Sequence, residues 1–171
     1  TLLLALLWPG LPWQQRHPGE TRLWMLDIGQ GDSFLTQFED GRTLLMDGGP
    51  ARPDAGAWVV VPALRALGIQ RLDWVVASHA DADHVGGLAW VLDQMPVGVL
   101  LTNGQSSDTQ AWTGLMASAQ RRNVPQRRLG TDVPPTPDDG PWTVLAPIPV
   151  KHRVSHSKRK RKHPPRVDTN A

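Results

Sequence analysis

The sequence predicts an α/β domain in which a sheet and helices form packed layers. Short apolar stretches suited to strands alternate with longer segments of helical periodicity, a pattern typical of layered α/β folds. The chain has 171 residues, enough for one domain with a hydrophobic core. It has no cysteine, so disulfide frameworks and thiolate metal sites are excluded. Any bound metal ion must therefore be held by His, Asp or Glu side chains.

The first part of the domain is predicted to contain four strands and one helix. The strands are expected at 22–28, 33–38, 43–46 and 72–77, and the helix at 57–67. A hairpin turn is expected at 39–42, because Gly41 can supply the positive φ that such turns need. Pro62 is compatible with the helix only near its first turn, and Gly68 is a candidate C-terminal cap.

The second part continues the alternation of helices and strands. Helices are expected at 85–95 and 109–122, strands at 97–101 and 142–145, and a loop at 130–140. Pro96 ends the first of these helices, because proline cannot continue the helical hydrogen-bond pattern. The sequence shows no internal repeat.

The chain divides into four regions by composition. Residues 1–8 are interpreted as the remnant of a transmembrane helix, 9–21 as a linker, 22–147 as a partial domain, and 148–171 as a basic disordered tail. The apolar start ends in Trp-Pro, which suits exit from a membrane, although a spanning helix needs roughly 20 residues. A disordered or interfacial terminus is the alternative interpretation. The absence of a basic segment before the apolar run makes a signal peptide a poor fit.

The charge is distributed unevenly. Residues 151–171 hold eight of the 18 Lys and Arg residues and one of the 16 acidic residues, so residues 1–150 carry a net charge of −5. Every lysine of the chain lies in this tail. Three hypotheses fit it: a nucleic-acid-binding arm, a solvated disordered tail, or out-of-frame translation after a small insertion or deletion. The abrupt change in residue usage favours the third hypothesis.

The segment 78–87 carries the strongest functional signal, with two imidazoles and two carboxylates within six positions. His79 and Asp81 are two residues apart, so an extended chain projects both to the same side. Asp83 and His84 follow where the chain turns into a helix, and they could face a second metal ion. Two such ions can clamp the attacking and leaving oxygens of a phosphoester. The alternative is a surface loop in which Asp81 and Asp83 cap a helix.

These residues are similar to the signature of the metallo-β-lactamase superfamily, in which a histidine usually occupies the position of Asp81. Two further segments narrow the resemblance: 26–33, which reads Leu-Asp-Ile-Gly-Gln-Gly-Asp-Ser, and 45–50, which reads Leu-Met-Asp-Gly-Gly-Pro. Together the motifs resemble the C-terminal domain of the ComEC-type DNA-internalisation competence proteins. That family consists of polytopic membrane proteins that pass single-stranded DNA into the cell. The resemblance covers about residues 22–147 and implies the N-terminal half of an αββα sandwich.

The resemblance also implies roles for individual residues. His79, Asp81, Asp83 and His84 would be metal ligands, and Asp83 would also contact the catalytic water. Asp47 would orient the ligand loop without binding the ion, as metal sites require. Asp32 is expected to fix the glycine turn near the site, or alternatively to cap backbone N–H groups of the turn. Asp27 is expected to be structural.

The cofactor implied is a divalent metal, with two Zn²⁺ or Mn²⁺ ions, and the partners implied are DNA and, through the preceding region, the membrane. The domain would be extracytoplasmic. In the family the second half of the sandwich supplies further ligands, so we expect this chain alone to be poorly stable and unable to hydrolyse DNA. Two rival hypotheses are a hydrolase of small phosphoesters or nucleotides and a non-enzymatic DNA-binding module that uses the basic tail. A functionless gene product is a third.

Overall fold

A computed structural model of the protein describes residues 19–129 and 140–141. The interpretations of residues 1–8 and 148–171 lie outside these ranges. The same holds for the predicted strand at 142–145, for nearly all of the loop at 130–140 and for most of the linker.

Six strands form one mixed sheet. They are β1 (Arg22–Met25), β2 (Phe34–Gln37), β3 (Thr43–Met46), β4 (Leu72–Ala77), β5 (Val97–Thr102) and β6 (Gln126–Arg128). The strands lie in the sheet in chain order. The pairs β1–β2 and β2–β3 are antiparallel, and the pairs from β3 to β6 are parallel. The observed sheet and helices confirm the predicted α/β class.

Four α-helices connect the parallel strands. They are α1 (Val61–Ala66), α2 (Ala82–Val85), α3 (Leu88–Gln94) and α4 (Gln110–Arg121). A π-helical segment, Gly56–Val60, leads directly into α1. Pro62 lies in the first turn of α1, where the chain changes from π-helical to α-helical geometry.

The hairpin between β2 and β3 closes as predicted. The Phe38 N–H donates to the Arg42 carbonyl at 2.9 Å, and the Gly41 N–H donates to the Phe38 carbonyl at 2.8 Å. The Arg42 side chain donates to Asp40 and holds the pKa of that carboxyl below its usual value. This ion pair is exposed and therefore contributes little to stability.

The helix predicted at 85–95 is instead two short helices, α2 and α3, separated at Gly86 and Gly87. A Cβ on Gly86 would lie 2.2 Å from the backbone nitrogen of Ala51, and a Cβ on Gly87 would lie 2.2 Å from the carbonyl oxygen of Gly48. The Gly87 N–H donates to the carbonyl of Gly49 at 2.9 Å. The two glycines therefore let the turn after β3 pack directly against the junction between α2 and α3.

The helices cover one face of the sheet. The main hydrophobic core joins the sheet residues Leu35, Leu45, Val75 and Leu100 to the helical residues Val61, Leu64, Val85, Leu88, Val91, Leu92 and Leu115. Because side chains alternate across a strand, the neighbours of these sheet residues point to the opposite face. There a smaller cluster forms from Leu44, Trp74, Val76 and Leu101. Within 19–129 no helical residue belongs to this second cluster.

The second face is apolar but partly exposed at the β1 edge. The register aligns Met25 with Phe34 and Phe34 with Met46, so these side chains form one row across three strands. Met25 is 75% exposed, Leu23 is 67% exposed and Met46 is 38% exposed. An apolar surface of this kind promotes association between molecules.

We expect the double substitution Leu23→Thr/Met25→Thr to reduce self-association of the chain while changing its free energy of unfolding by less than about 1 kcal/mol. Threonine suits a strand, and both positions are exposed. Analytical ultracentrifugation and chemical denaturation measure the two effects. Leu35→Thr is the control on the buried face, where about 2 kcal/mol or more should be lost. Unchanged self-association of the double variant would show that the apolar surface at the β1 edge does not drive association.

Candidate metal centre

The candidate site lies where two neighbouring parallel strands end. β3 ends at Met46 and is followed by Asp47, and β4 ends at Ala77 and is followed by Ser78 and His79. Parallel strands place their carboxyl ends at the same edge of a sheet, which is where ligands bind in open α/β sheets. The short helix α2 then returns His84 to the same edge, since the Gly48 N–H donates to the His84 carbonyl at 2.8 Å.

Asp47 is the buried centre of a hydrogen-bond network. Its side chain is almost fully buried, and its φ of 59° lies in the left-handed region that Asp tolerates better than most residues. Its Oδ1 accepts the backbone N–H of Ser78 at 2.9 Å, and its Oδ2 accepts the Ser78 hydroxyl at 2.5 Å. The same Oδ2 lies 3.0 Å from Nδ1 of His84. A buried carboxylate with these partners meets the requirement that buried charge be hydrogen-bonded.

The two histidines lie side by side. The ring centroids of His79 and His84 are 3.9 Å apart. Together with Asp47 they offer ligand atoms that all lie within 4.8 Å of one another. Among the described residues, these three have ligand atoms close enough together to hold one metal ion. His84 therefore lies next to His79, and the two imidazoles could reach the same ion.

Each imidazole has its Nδ1 engaged by a neighbour. Nδ1 of His84 contacts Asp47, and Nδ1 of His79 lies 2.8 Å from the Ser78 hydroxyl. A hydrogen bond at one ring nitrogen fixes the tautomer and directs the other nitrogen toward a ligand. The donor set thus presents the Nε2 atoms of His79 and His84 for coordination.

Asp81 occupies the N-cap position of α2, but its side chain makes no capping hydrogen bond. Its Oδ2 instead lies 3.4 Å from Nε2 of His79. In a tetrahedral zinc site with bonds of about 2.0–2.2 Å, two ligand atoms are separated by about 3.4 Å. The spacing of His79 and Asp81 therefore fits two ligands of one ion, and the residues present fit a divalent metal.

Asp83 and Asp32 are not part of the group formed by Asp47, His79 and His84. Asp83 is in the first turn of α2, and its Oδ2 accepts a hydrogen bond from Nε2 of Gln30 at 3.5 Å. Asp32, in the β1–β2 connection, places its Oδ2 3.9 Å from Nδ1 of His84. Its backbone carbonyl accepts the Gly49 N–H at 3.2 Å, which joins the two turns. Asp27 lies earlier in the connection, and its Oδ1 accepts the Gly29 N–H at 3.4 Å.

Three residues that contact the site have no role assigned to them from the sequence. Ser78 binds both Asp47 and His79, Gln30 binds Asp83, and the Ser33 hydroxyl donates to the Asp47 carbonyl at 3.0 Å. Ser78 stands next to His79 in the chain, and Gln30 and Ser33 belong to the motif at 26–33. All three residues stand inside motifs that the sequence shows, but the spacing of a motif does not indicate which side chain each residue contacts.

Among residues 19–129 and 140–141, no helix has both the length and the apolar character needed to span a bilayer. The predicted remnant at 1–8 lies outside that range.

Three curated proteins resemble this chain. YcaI of Escherichia coli is 35% identical over 96 residues, which are 55% of this chain and 12% of YcaI. ComE operon protein 3 of Bacillus subtilis is 37% identical over an alignment of 76 residues that covers 36% of this chain and 10% of that protein. Competence protein ComA of Neisseria gonorrhoeae is 40% identical over 68 residues, which are 40% of this chain and 9% of that protein.

These matches span between 9% and 12% of the length of each relative. Two of the relatives carry competence names, which confirms the resemblance to competence proteins. The sequence profile of the metallo-beta-lactamase superfamily matches residues 26–139, which include every residue of the candidate site. The matched region also contains the sheet from β2 to β6 and all four helices. The chain therefore belongs to the metallo-beta-lactamase superfamily.

Proposed function

We propose that this chain is the metal-binding part of a hydrolase domain that cleaves phosphodiester bonds of DNA within a longer DNA-uptake protein. The convergence of His79, His84 and Asp47 at one edge of the sheet carries the proposal. The competence names of two relatives support the link to DNA uptake. The parent protein would lie in the cell membrane, with this domain on the extracytoplasmic side.

In this proposal His79, Asp81, Asp83 and His84 hold two divalent ions, Zn²⁺ or Mn²⁺, and Asp83 also contacts the attacking water. Imidazole and carboxylate ligands suit either metal. The 3.4 Å separation of His79 and Asp81 supports their sharing one ion. A bound ion would neutralise charge that develops on the phosphoryl oxygens and activate water for attack.

The neighbours of these ligands act through orientation. Both oxygens of Asp47 already accept hydrogen bonds, so this residue suits the positioning of Ser78 and His84 better than direct coordination. Asp32 lies close enough to His84 to add negative charge beside its ring. These contacts hold the imidazoles ready before an ion arrives, which lowers the cost of ordering them on binding.

We expect this chain to bind metal without hydrolysing DNA. Four ligands divided between two ions leave each ion with fewer than the three or four protein ligands of typical sites. Further ligands would have to come from the second half of the family's sandwich. Robust metal-dependent cleavage of single-stranded DNA by the purified chain would contradict this part of the proposal.

The test is isothermal titration of Mn²⁺ and Zn²⁺ into the 171-residue chain and its variants. His79→Ala and His84→Ala should each lower the affinity more than about 100-fold, since loss of a ligand exceeds the effect of loss of an outer partner. The matched control replaces the tail histidines His152, His156 and His163 with alanine and should bind as the unaltered chain does. Loss of binding in that control, with retention in the site variants, would reject the site.

Substrate class is tested on a longer parent that contains the second half of the sandwich. Turnover of oligonucleotides, with little turnover of mononucleotides or small phosphoesters, is the result that the proposal expects. The reverse preference would favour the rival hydrolase.

The non-enzymatic binding module is tested on the 171-residue chain. DNA binding that is unchanged by Asp83→Ala and lost after removal of the charges at 151–171 would favour that module.

A further inference from the structure

The connection between β1 and β2 contacts the candidate ligands at consecutive positions. Gln30 contacts the Asp83 carboxylate, and Gly31 packs on the backbone of the same residue. Asp32 lies beside His84, and Ser33 donates to the Asp47 carbonyl. Four adjacent residues, 30–33, thus reach three different residues of the site. We call this segment the contact loop.

The approach at Gly31 is too close for any other residue. A Cβ at this position would lie 1.8 Å from the carbonyl oxygen of Asp83, well inside the contact distance of two atoms. Its φ of 88° is also a conformation that side chains disfavour. The contact loop is therefore held directly against the first turn of α2, and the side chain before Gly31 is delivered to the carboxylate of Asp83.

The chemistry of the Gln30 contact suits the orientation of a carboxylate. An amide N–H donates to one carboxylate oxygen and leaves the lone pairs of the other free. The contact joins residues 53 positions apart in the chain, so it links two separate segments of the site. At 3.5 Å the hydrogen bond is long and lies at the solvent-exposed rim. If Asp83 binds an ion, its carboxylate must hold one orientation, and a hydrogen bond from Gln30 would favour that orientation.

We propose that Gln30 is a positioning residue for Asp83. Its side-chain amide selects the orientation of the Asp83 carboxylate in which that group binds a divalent ion, and Gly31 allows the approach. This inference rests on the proposed function, because it requires Asp83 to bind metal. Gln30 itself touches neither the ion nor the substrate.

The test is a double-mutant cycle with Mn²⁺ as the probe, measured by isothermal titration on the 171-residue chain. Gln30→Leu removes the amide at similar volume and should lower Mn²⁺ affinity about 10-fold, the lower end of the effect of outer partners. In the Asp83→Ala background, Gln30→Leu should have no further effect, because its partner is absent. Gln70→Leu is the matched control at an exposed glutamine and should leave the affinity unchanged.

A second measurement separates positioning from folding. Chemical denaturation of metal-free Gln30→Leu should give the same free energy of unfolding as Gln70→Leu, since both lose an exposed amide. Unchanged Mn²⁺ affinity of Gln30→Leu, or an equal loss in the Asp83→Ala background, would overturn the positioning role alone. Failure of the unaltered chain to bind Mn²⁺ would overturn the proposed function and this inference together.

Discussion

Asp47→Asn is expected to lower Mn²⁺ affinity about 10- to 100-fold and to destabilise the metal-free chain by about 1–3 kcal/mol. Asparagine keeps the shape of the side chain and also tolerates the left-handed backbone of this position. Its amide nitrogen is a donor, however, and it would face either the backbone N–H of Ser78 or the Ser78 hydroxyl and Nδ1 of His84. In the first orientation two donors oppose each other, and in the second the Ser78 hydroxyl and His84 can no longer both donate to this position. Isothermal titration and chemical denaturation measure the two effects.

The matched control is Asp108→Asn, which makes the same change at an exposed aspartate outside the site. It should alter neither metal affinity nor stability by a measurable amount. The expectation for Asp47 would fail if its asparagine variant bound Mn²⁺ as tightly as this control. A loss of stability with unchanged affinity would assign Asp47 to the fold alone.

Gly31→Ala is expected to destabilise the chain by about 3–5 kcal/mol, whereas Gly29→Ala should cost about 1–2 kcal/mol. Both glycines lie in the same connection, with φ of 88° and 78°, so both alanines meet the same backbone strain. They differ in space: nothing lies within 4 Å of a Cβ on Gly29, whereas a Cβ on Gly31 would overlap the Asp83 carbonyl. The difference between the two variants isolates the close approach.

Metal affinity should separate the same two variants. Gly31→Ala must push the contact loop away from α2, and we expect it to weaken Mn²⁺ binding at least about 10-fold. Gly29→Ala leaves that contact in place and should bind normally. Thermal unfolding and isothermal titration of both variants provide the measurement. Equal stability of the two would show that the contact loop moves away from Asp83 at little cost.

Much of the fold could be predicted from residue patterns, because most elements carry local signals. β3 and β4 have the predicted bounds, since each is an apolar run ended by a motif. β6 was not predicted: its sequence, Gln-Arg-Arg, has no apolar alternation. It is a strand because its backbone pairs in parallel with Leu100 to Thr102 of β5, a tertiary cause that local propensity does not contain.

The break between α2 and α3 has a similar explanation. The apolar spacing from Val85 to Met95 suits one continuous helix, and two glycines at its start cost only a fraction of the stability of such a helix. The deciding factor is the turn after β3, which occupies the space beside Gly86 and Gly87. That neighbour is distant in sequence, so the pattern could not reveal it.

The candidate site likewise combines residues that the local sequence predicts with contacts that depend on tertiary packing. Close spacing along the chain predicted that His79, Asp81, Asp83 and His84 would lie near one another, and the resemblance added Asp47. The structure places Asp47 with His79 and His84 and places Asp81 beside His79. The assignment of individual ligands stays a prediction. The partners Gln30, Ser33 and Ser78 follow from how three separate segments pack, which residue type and spacing do not encode.

The location of the site at the ends of β3 and β4 has a thermodynamic consequence. Asp47 and His84 are 37 positions apart in the chain, so their side chains meet only when the two parallel strands are paired. An ion bound there would recognise the folded chain and not the unfolded one. At a free concentration 100 times its dissociation constant, such an ion adds about 2.7 kcal/mol to the free energy of unfolding. The stability of this sheet would then depend on the metal supply around the protein as well as on the residues that build it.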